Sequence, residues 1–460
     1  MRADHLGSYG YERPTSPVLD SVARDGVRFE TVVSSSSWTL PAHMTLFTAM
    51  PPEQHGVTGT FKKLEPETAT LASVLQKAGY DTAGFVAAPY LRSIYGYRKG
   101  FDVYDESVVE KGHFESHVGV SSPRLIEMVT DYLDGWAEGG RKKPFFVFLH
   151  LWDVHYDYTP PPPYDTMFDP DYDGDVTGEN FVRSGQVRAD MDPRDLAHVI
   201  SLYDGEIRFT DEQVGRLLAV LDRLGVSDDT IVVLTSDHGE EFFEHGRKGH
   251  GDALYDETIL IPWVLRYPAR VAGGQVQESP VRLMDIAPTV LGLAGVSRSE
   301  TFGTTGVGEH GSRDLSPWLL RASASEPFPS LLGWSHTGEG KKEQRAARSA
   351  AGKHITHANE KRRPPELFDL SADPGEKRNL AAGEEVPAHL KSLQTESSAW
   401  RERWSGHRDG AITIEIDDDH RRKLFLLGYL DSALDESASA EAGSASGEGE
   451  SVEPEGGEAD

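Results

Sequence analysis

The stretch TSDHGEEFFEHGRKGHG (235–251) sets Asp237 and His238 directly behind the apolar run TIVVLTSD (230–237). A carboxylate oxygen beside an imidazole at a strand's end suits one divalent cation. Aspartate favours calcium, magnesium or manganese, and histidine admits zinc or manganese. Gly239 lets the chain turn sharply at that point. His245, Lys248 and His250 follow as a cationic group fit to hold an oxyanion or to protonate a leaving oxygen. Taken alone, DHGE also reads as an ordinary strand-to-loop turn with solvated charges.

A second stretch, SSSSWTLPAHMTLFTAMPPEQHG (34–56), places Thr39 where a loop gives way to a helical run from Pro41 to Met50. Pro41 suits a first helical turn, where its missing N–H costs nothing. A hydroxyl there meets free backbone N–H groups, which form a natural pocket for a sulfate or phosphate group. Thr39 is therefore a candidate nucleophile activated by an adjacent metal. The competing assignment is an N-terminal cap. His43, one turn on, either points into the same pocket or covers the helix.

The third stretch is HLWDVHYDYTPPPPY (150–164), which follows the apolar PFFVFL run. His155 lies in its polar loop, where Trp152, Tyr156 and Tyr158 offer a stacking surface and the prolines fix the path. It either contacts the transferred group or faces solvent.

Positioning these groups requires a sheet. DTAGFVAA (81–88), PFFVFLHL (144–151) and TIVVLTSD (230–237) are short apolar runs ending in small or polar residues. Each follows a helical pattern, at 67–79, 123–139 and 196–225. Strands alternating with crossover helices predict one central, mostly parallel sheet covered on both faces. Ligands then collect at its carboxyl edge, where Thr39, His155 and Asp237 should converge. ILIPWVLRYP (259–268) reads as a further strand whose prolines mark an edge or irregular end. VRLMDIAPTVLGLAG (281–295) reads as a helix closed by Gly295. Beyond about residue 300 the texture changes: 336–362 reads as a solvated, partly ordered segment, and ELFDLSADPGEKRNLA (365–380) as a strand and turn. A helical run at 389–405 follows, and the tail from 431 has a disordered composition.

Composition narrows the function. The 460 residues contain no cysteine, which excludes disulfides, thiolate ligands and a cysteine nucleophile. The 46 basic and 75 acidic residues give a net charge of -29, a poor match for nucleic acid or an anionic membrane. No apolar run is long enough to span a bilayer, so no integral membrane segment is expected, and no export signal opens the chain. As encoded, the protein reads as cytoplasmic; a periplasmic or secreted location applies if an upstream signal segment is missing. Oligomeric state has no signature in the sequence.

Together the three stretches resemble the sulfatase branch of the alkaline-phosphatase superfamily. The likeness runs through residues 2–11, 39–56, 150–160, SDHGE with its EHG continuation, IPWVLRYP, DIAPTVLGLAG and ELFDLSADPGEKRNLA. LFLLGYLD (424–431) resembles the family's leucine-rich ending. The resemblance implies an α/β/α sandwich with a mostly parallel central sheet over residues 1–300. A smaller C-terminal α+β subdomain over 301–430 and a disordered acidic tail over 431–460 complete the expected organisation. It implies a hydrolase of sulfate or phosphate esters on small molecules or glycans, with one divalent metal, calcium first. Asp237 and His238 would be its ligands. His250, with Lys248 second, would bind the transferred group or protonate the leaving oxygen, and His155 would contact the group from the opposite side.

Two departures follow from the same comparison. Family members begin with a hydrophobic strand ending in metal-binding carboxylates, running into a segment like RADHLGSYGY. Here Met1 stands just ahead of Arg2, so the resemblance implies a truncated N-terminus lacking the first core strand. Asp4 is not the matching ligand and is expected to support its loop. Secondly, sulfatases oxidise the Cys or Ser of a C/S-x-P-x-R motif to formylglycine. The matching residues are Thr39-Leu40-Pro41-Ala42-His43, with neither the convertible residue nor the arginine. No formylglycine is expected. Relatives that use an unmodified Thr or Ser make phosphoester or phosphonoester hydrolysis, or phosphotransfer, a rival reaction. A catalytically inactive binding protein is the alternative from another class.

Overall fold

The computed structural model describes residues 1–110, 121–296, 311–321, 332–338, 342–383, 386–404, 410–426 and 430. The acidic tail expected from residue 431 lies outside the described residues. Two compact units are present, Met1–Glu415 and Ile416–Asp460. The described part of the second contains the helix Asp418–Leu426.

Within the first unit, the helices begin and end where backbone chemistry dictates. The helix Ser122–Glu138 has Pro123 in its first turn and buries Leu125, Ile126, Val129 and Leu133 along one stripe. It stops at Gly139, followed by Gly140 at φ 88°. The longest helix, Pro193–Arg223, is capped by Asp192, whose carboxylate accepts from Arg194 N at 2.8 Å. Gly225, at φ 65°, lets the chain turn away behind it.

The three apolar runs form the strands Asp81–Phe85, Phe145–Leu149 and Val232–Thr235. The first two lie side by side in a parallel sheet of order Val103–Asp105, Asp81–Phe85, Phe145–Leu149. The third is the edge of a different, mixed sheet. Its order is Gln275–Gln277, Val27–Phe29, Trp263–Arg266, Val232–Thr235. The expected single ladder is thus interrupted between Phe145–Leu149 and Val232–Thr235. The strand read from 259–268 is interior to its sheet, not at an edge. Pro262 and Pro268 fall outside its paired residues, Trp263–Arg266, so no ladder hydrogen bond is lost.

Helices cover both faces. Leu125, Val129, Leu133, Val220 and Leu221 pack with Ala83, Phe85 and Val232 on one side. On the other, Ala42, Leu46 and Ile286 join Val27, Phe29 and Trp263. Side chains of the Phe145 strand alternate between these layers, as a strand covered on both faces requires.

The segment read as solvated at 336–362 is instead built into an antiparallel sheet. Its strands are Gly333–Thr337, Gln344–Arg348, Gly352–His357 and Glu366–Asp369. Ala346, Ala347 and Ile355 are buried there, and Leu390 and Leu393 of the helix Ala388–Trp404 pack with Ala347 and Leu367. The first strand is laced to the loop ahead of Thr39: Ser335 Oγ donates to Ser34 O at 2.6 Å, and His336 N to Ser35 O at 2.9 Å.

Candidate active site

Thr39 opens the helix Thr39–Thr48, with extended Trp38 before it. The N-cap position belongs to Trp38, and no side chain makes a cap bond there. Thr39 instead turns its hydroxyl to His238, with Oγ1 3.3 Å from Nε2. The first intrahelical donor is Ala42 N, to Trp38 O at 3.3 Å, and Pro41 has no N–H. The N–H groups of Thr39 and Leu40 precede it, at the positive end of the helix dipole.

The loop after Val232–Thr235 supplies the partners. His238 Nδ1 donates to Gly239 O at 2.8 Å, which leaves the Nε2 lone pair facing Thr39 and Asp237 Oδ2, the latter at 3.3 Å. Burial lowers the His238 pKa to about 4, so the ring is neutral. Burial opposes ionisation of Asp237, but its electrostatic coupling to His238, His43, the Met1 amine and His150 outweighs burial and holds the carboxylate well below its usual range. A Cβ on Gly239 would lie 2.0 Å from Glu257 O, so the close approach of backbone here admits only glycine. His43 bridges helix and loop, with Nδ1 3.0 Å from Thr39 O and 3.4 Å from Asp237 Oδ2.

His250 closes the site from the other side. Its ring centroid is 4.2 Å from that of His238 and 5.1 Å from that of His155. Its Nδ1 lies 3.0 Å from Glu240 Oε1. His155 stacks on Trp152 at 3.8 Å, with Nδ1 2.5 Å from Tyr156 O. Burial lowers both pKa values, that of His250 to about 3.

Thr39, His43, His155, Asp237, His238 and His250 therefore converge from segments far apart in sequence. Lys248 does not join them. Its ammonium donates to Ser184 O at 3.1 Å and Val187 O at 2.6 Å and lies over the Phe181 ring. His245 is also turned aside, stacked on Tyr255 at 3.6 Å with Nδ1 at Glu257. Asp4 pairs with Arg2 at 2.7 Å, and Arg2 in turn donates to Glu240 O at 3.1 Å.

Sequence reasoning passed over two participants. His150 is the first polar residue after the Phe145 strand, the same signal that marked Asp237, and its ring lies 5.2 Å from that of His43. Glu240 is buried behind His250, and only the fold reveals which imidazole it serves.

Asp237 and His238 offer two donors toward one point. A hard divalent cation takes six or more oxygen ligands in the calcium case. Among the described residues no group of three or more His, Cys, Asp or Glu side chains is arranged to hold a metal. The donor set present is thus partial.

Residues 1–296 match the family model described as Sulfatase. The ulvan-active sulfatase of Formosa agariphila is 26% identical over 86% of this chain and 78% of its own. The N-acetylglucosamine-6-O-sulfatase of Bacteroides thetaiotaomicron is 22% identical over 64% of this chain and 67% of its own. Among solved structures, BT4656 in complex with its substrate D-glucosamine-2-N,6-O-disulfate superposes with a TM-score of 0.72, 19% identity, and 89% and 97% of the two chains covered. The phosphonate monoester hydrolase of Agrobacterium radiobacter superposes with a TM-score of 0.68, 20% identity, and 90% and 98% covered. These likenesses agree with the expected alkaline-phosphatase-like α/β fold. Among the described residues no helix is long and apolar enough to cross a membrane.

Proposed function

The chain belongs to the sulfatase family of hydrolases, and on that premise we propose that Thr39 is the nucleophile of a metal-dependent hydrolysis of sulfate or phosphate esters. The observation that carries this reading is the hydroxyl of Thr39 at a helix start, 3.3 Å from the His238 Nε2 lone pair. A divalent cation, calcium first, supplies Lewis acidity when bound at Asp237 and His238.

The chain's own residues account for the remaining work. Thr39 Oγ1 attacks sulfur or phosphorus in line with the leaving oxygen. The N–H groups of the first helical turn donate to the equatorial oxygens of the tetrahedral group. Glu240 fixes the His250 tautomer by accepting from Nδ1, so the neutral ring turns its Nε2 lone pair to the site, where it takes the proton that Thr39 gives up and passes it to the leaving oxygen as that bond breaks. His155, held by Trp152, and His43 border the transferred group. Trp38, Trp152 and Tyr156 make the surroundings partly aromatic, a surface suited to a sugar or aryl leaving group.

Phosphonate or phosphate ester cleavage is the second reading, favoured by Thr39 standing where formylglycine chemistry needs Cys or Ser. Turnover of an aryl sulfate, a phosphate diester and a phosphonate monoester by wild type, Thr39→Ala and Thr39→Ser separates the readings. Thr39→Ala should abolish the preferred activity and Thr39→Ser retain part of it. Equal turnover in wild type and Thr39→Ala refutes the nucleophile, and no turnover of any ester with calcium or manganese present favours a binding protein.

A further inference from the structure

The helix Pro193–Arg223 buries Val199, Leu202, Tyr203, Glu206 and Ile207 along one stripe, at the i, i+3, i+4, i+7, i+8 spacing with which a helix meets a core. All but Glu206 are apolar or aromatic. Glu206 is only 5% exposed, and burying a carboxyl is costly unless hydrogen bonds offset its lost hydration. Catalysis as derived above makes no use of it.

Its partners lie in the loop that carries His155. Residues 151–160 contain neither helix nor strand, so their backbone N–H groups must find acceptors elsewhere. Glu206 Oε1 accepts from Thr159 N at 2.9 Å, and the same carboxyl accepts from the backbone N–H of His155. Thr159 is the last backbone donor ahead of Pro160, Pro161, Pro162 and Pro163, which have no N–H. Beside these bonds, Tyr156 and Tyr158 pack with Leu202, Tyr203 and Ile207 of the helix. Helix and loop come this close because residue 205 is glycine: a Cβ there would lie 2.4 Å from Tyr164 O. The loop is tied at its start as well, where the Asp153 carboxylate accepts from Ser121 N at 2.5 Å and Ser122 N at 2.9 Å. Burial raises the Glu206 pKa well above the usual carboxyl range, with the Thr159 N–H acting against it and Asp153 and Asp157 adding to it. The group is therefore a neutral acid that serves as an acceptor.

We propose that Glu206 is the positioning residue of His155: by gathering the N–H groups at both ends of the turn 155–159, it fixes where the His155 ring stands. That ring stacks on Trp152 at 3.8 Å and lies 5.1 Å from the ring of His250, which sets it at the border of the transferred group. The consequence for turnover rests on the ester-hydrolysis reading; the placement of the ring does not.

The test compares wild type with Glu206→Gln, which keeps a neutral acceptor, and Glu206→Met, which fills similar space without one. Glu206→Met combined with His155→Ala closes a double-mutant cycle. In NMR spectra of the histidine rings, the His155 signals are those missing from His155→Ala. Their upfield shift from the Trp152 ring should persist in Glu206→Gln and be lost in Glu206→Met. With an ester that wild type turns over, Glu206→Met should lower kcat/KM by about 10²-fold, the effect of a displacement of about 1 Å. Glu206→Gln should cost far less. In the His155→Ala background Glu206→Met should cost nothing further, because its effect passes through a ring that is no longer there. Should Glu206→Met not fold, Glu206→Asp, one methylene too short to reach both N–H groups, takes its place with the same expectations. An unmoved His155 signal, Glu206→Gln as damaging as Glu206→Met, or a loss that persists undiminished without His155 overturns the proposal. If wild type turns over no ester, the hydrolase reading fails alone, and the ring signals still decide whether Glu206 places His155.

Discussion

Replacing Lys353 by methionine should destabilise the protein in a pH-dependent way. Lys353 has 0% side-chain exposure, and its ammonium lies 2.5 Å from Asp256 Oδ1, 2.7 Å from Glu376 Oε1 and 3.1 Å from Leu254 O. Asp256 keeps a second cation, since Arg348 donates to it at 2.9 and 2.8 Å. Among the described residues, the Glu376 carboxylate keeps only the backbone N–H of Asp256 as a donor, at 2.7 Å. Breaking a buried ion pair costs about 3–5 kcal/mol, and retention of Arg348 places this case near 3 kcal/mol. At roughly 2.1 cal/mol/K per residue, unfolding of the Met1–Glu415 unit has an entropy of about 0.9 kcal/mol/K, so Tm should fall by about 3 °C. Burial raises the Glu376 pKa, with Lys353 acting against it. Removing Lys353 raises it further, so the folded variant retains a proton that the unfolded chain releases. Its deficit is therefore small at pH 5 and grows as pH rises through neutrality. Calorimetry of wild type, Lys353→Met and Lys353→Met/Glu376→Gln at pH 5 and pH 8 measures this. The double variant should recover most of the loss at pH 8. A deficit equal at both pH values, or one that the second substitution does not relieve, refutes the reasoning.

His250→Ala should lower kcat/KM by about 10²–10⁴ for an ester with a poor leaving group. Lys248→Ala should change it little, because that ammonium is occupied by the carbonyls of residues 184 and 187; a larger loss for Lys248→Ala reverses the assignment. His55 is a buried neutral imidazole that accepts from Val57 N at 3.1 Å, and burial lowers its pKa to about 3. Its folded pKa lies below its unfolded value of 6.5, so stability is present above 6.5 and lost as pH falls through that window. The steepest slope is about 1.4 kcal/mol per pH unit. Urea titrations of His55→Gln between pH 4 and 7 should show a slope shallower by about one proton, and an unchanged slope counts against a neutral His55.

Local chemistry made much of this protein legible in its residues. Apolar runs ending in polar residues marked the strands that deliver His155, Asp237 and His238, because a covered strand must be apolar until it leaves the sheet. Pro41 and the helical run behind it located Thr39 at a helix start, because backbone N–H groups there need no proline-free sequence. Which cation reaches the site was decided in three dimensions: Lys248 and His250 are two residues apart, and the loop beyond the Lys248–Gly249 strand carries only His250 back to His238. The stretch 344–357 reads as solvated because it is rich in charge, yet Lys353 is enclosed there. Its burial depends on Asp256 and Glu376, which no local pattern connects to it. The break between the Phe145 and Val232 strands is likewise a tertiary fact. Apolar composition shows that each strand is to be covered on its faces, but pairing along an edge is a contact between distant segments, and only the assembled sheet reveals where it stops.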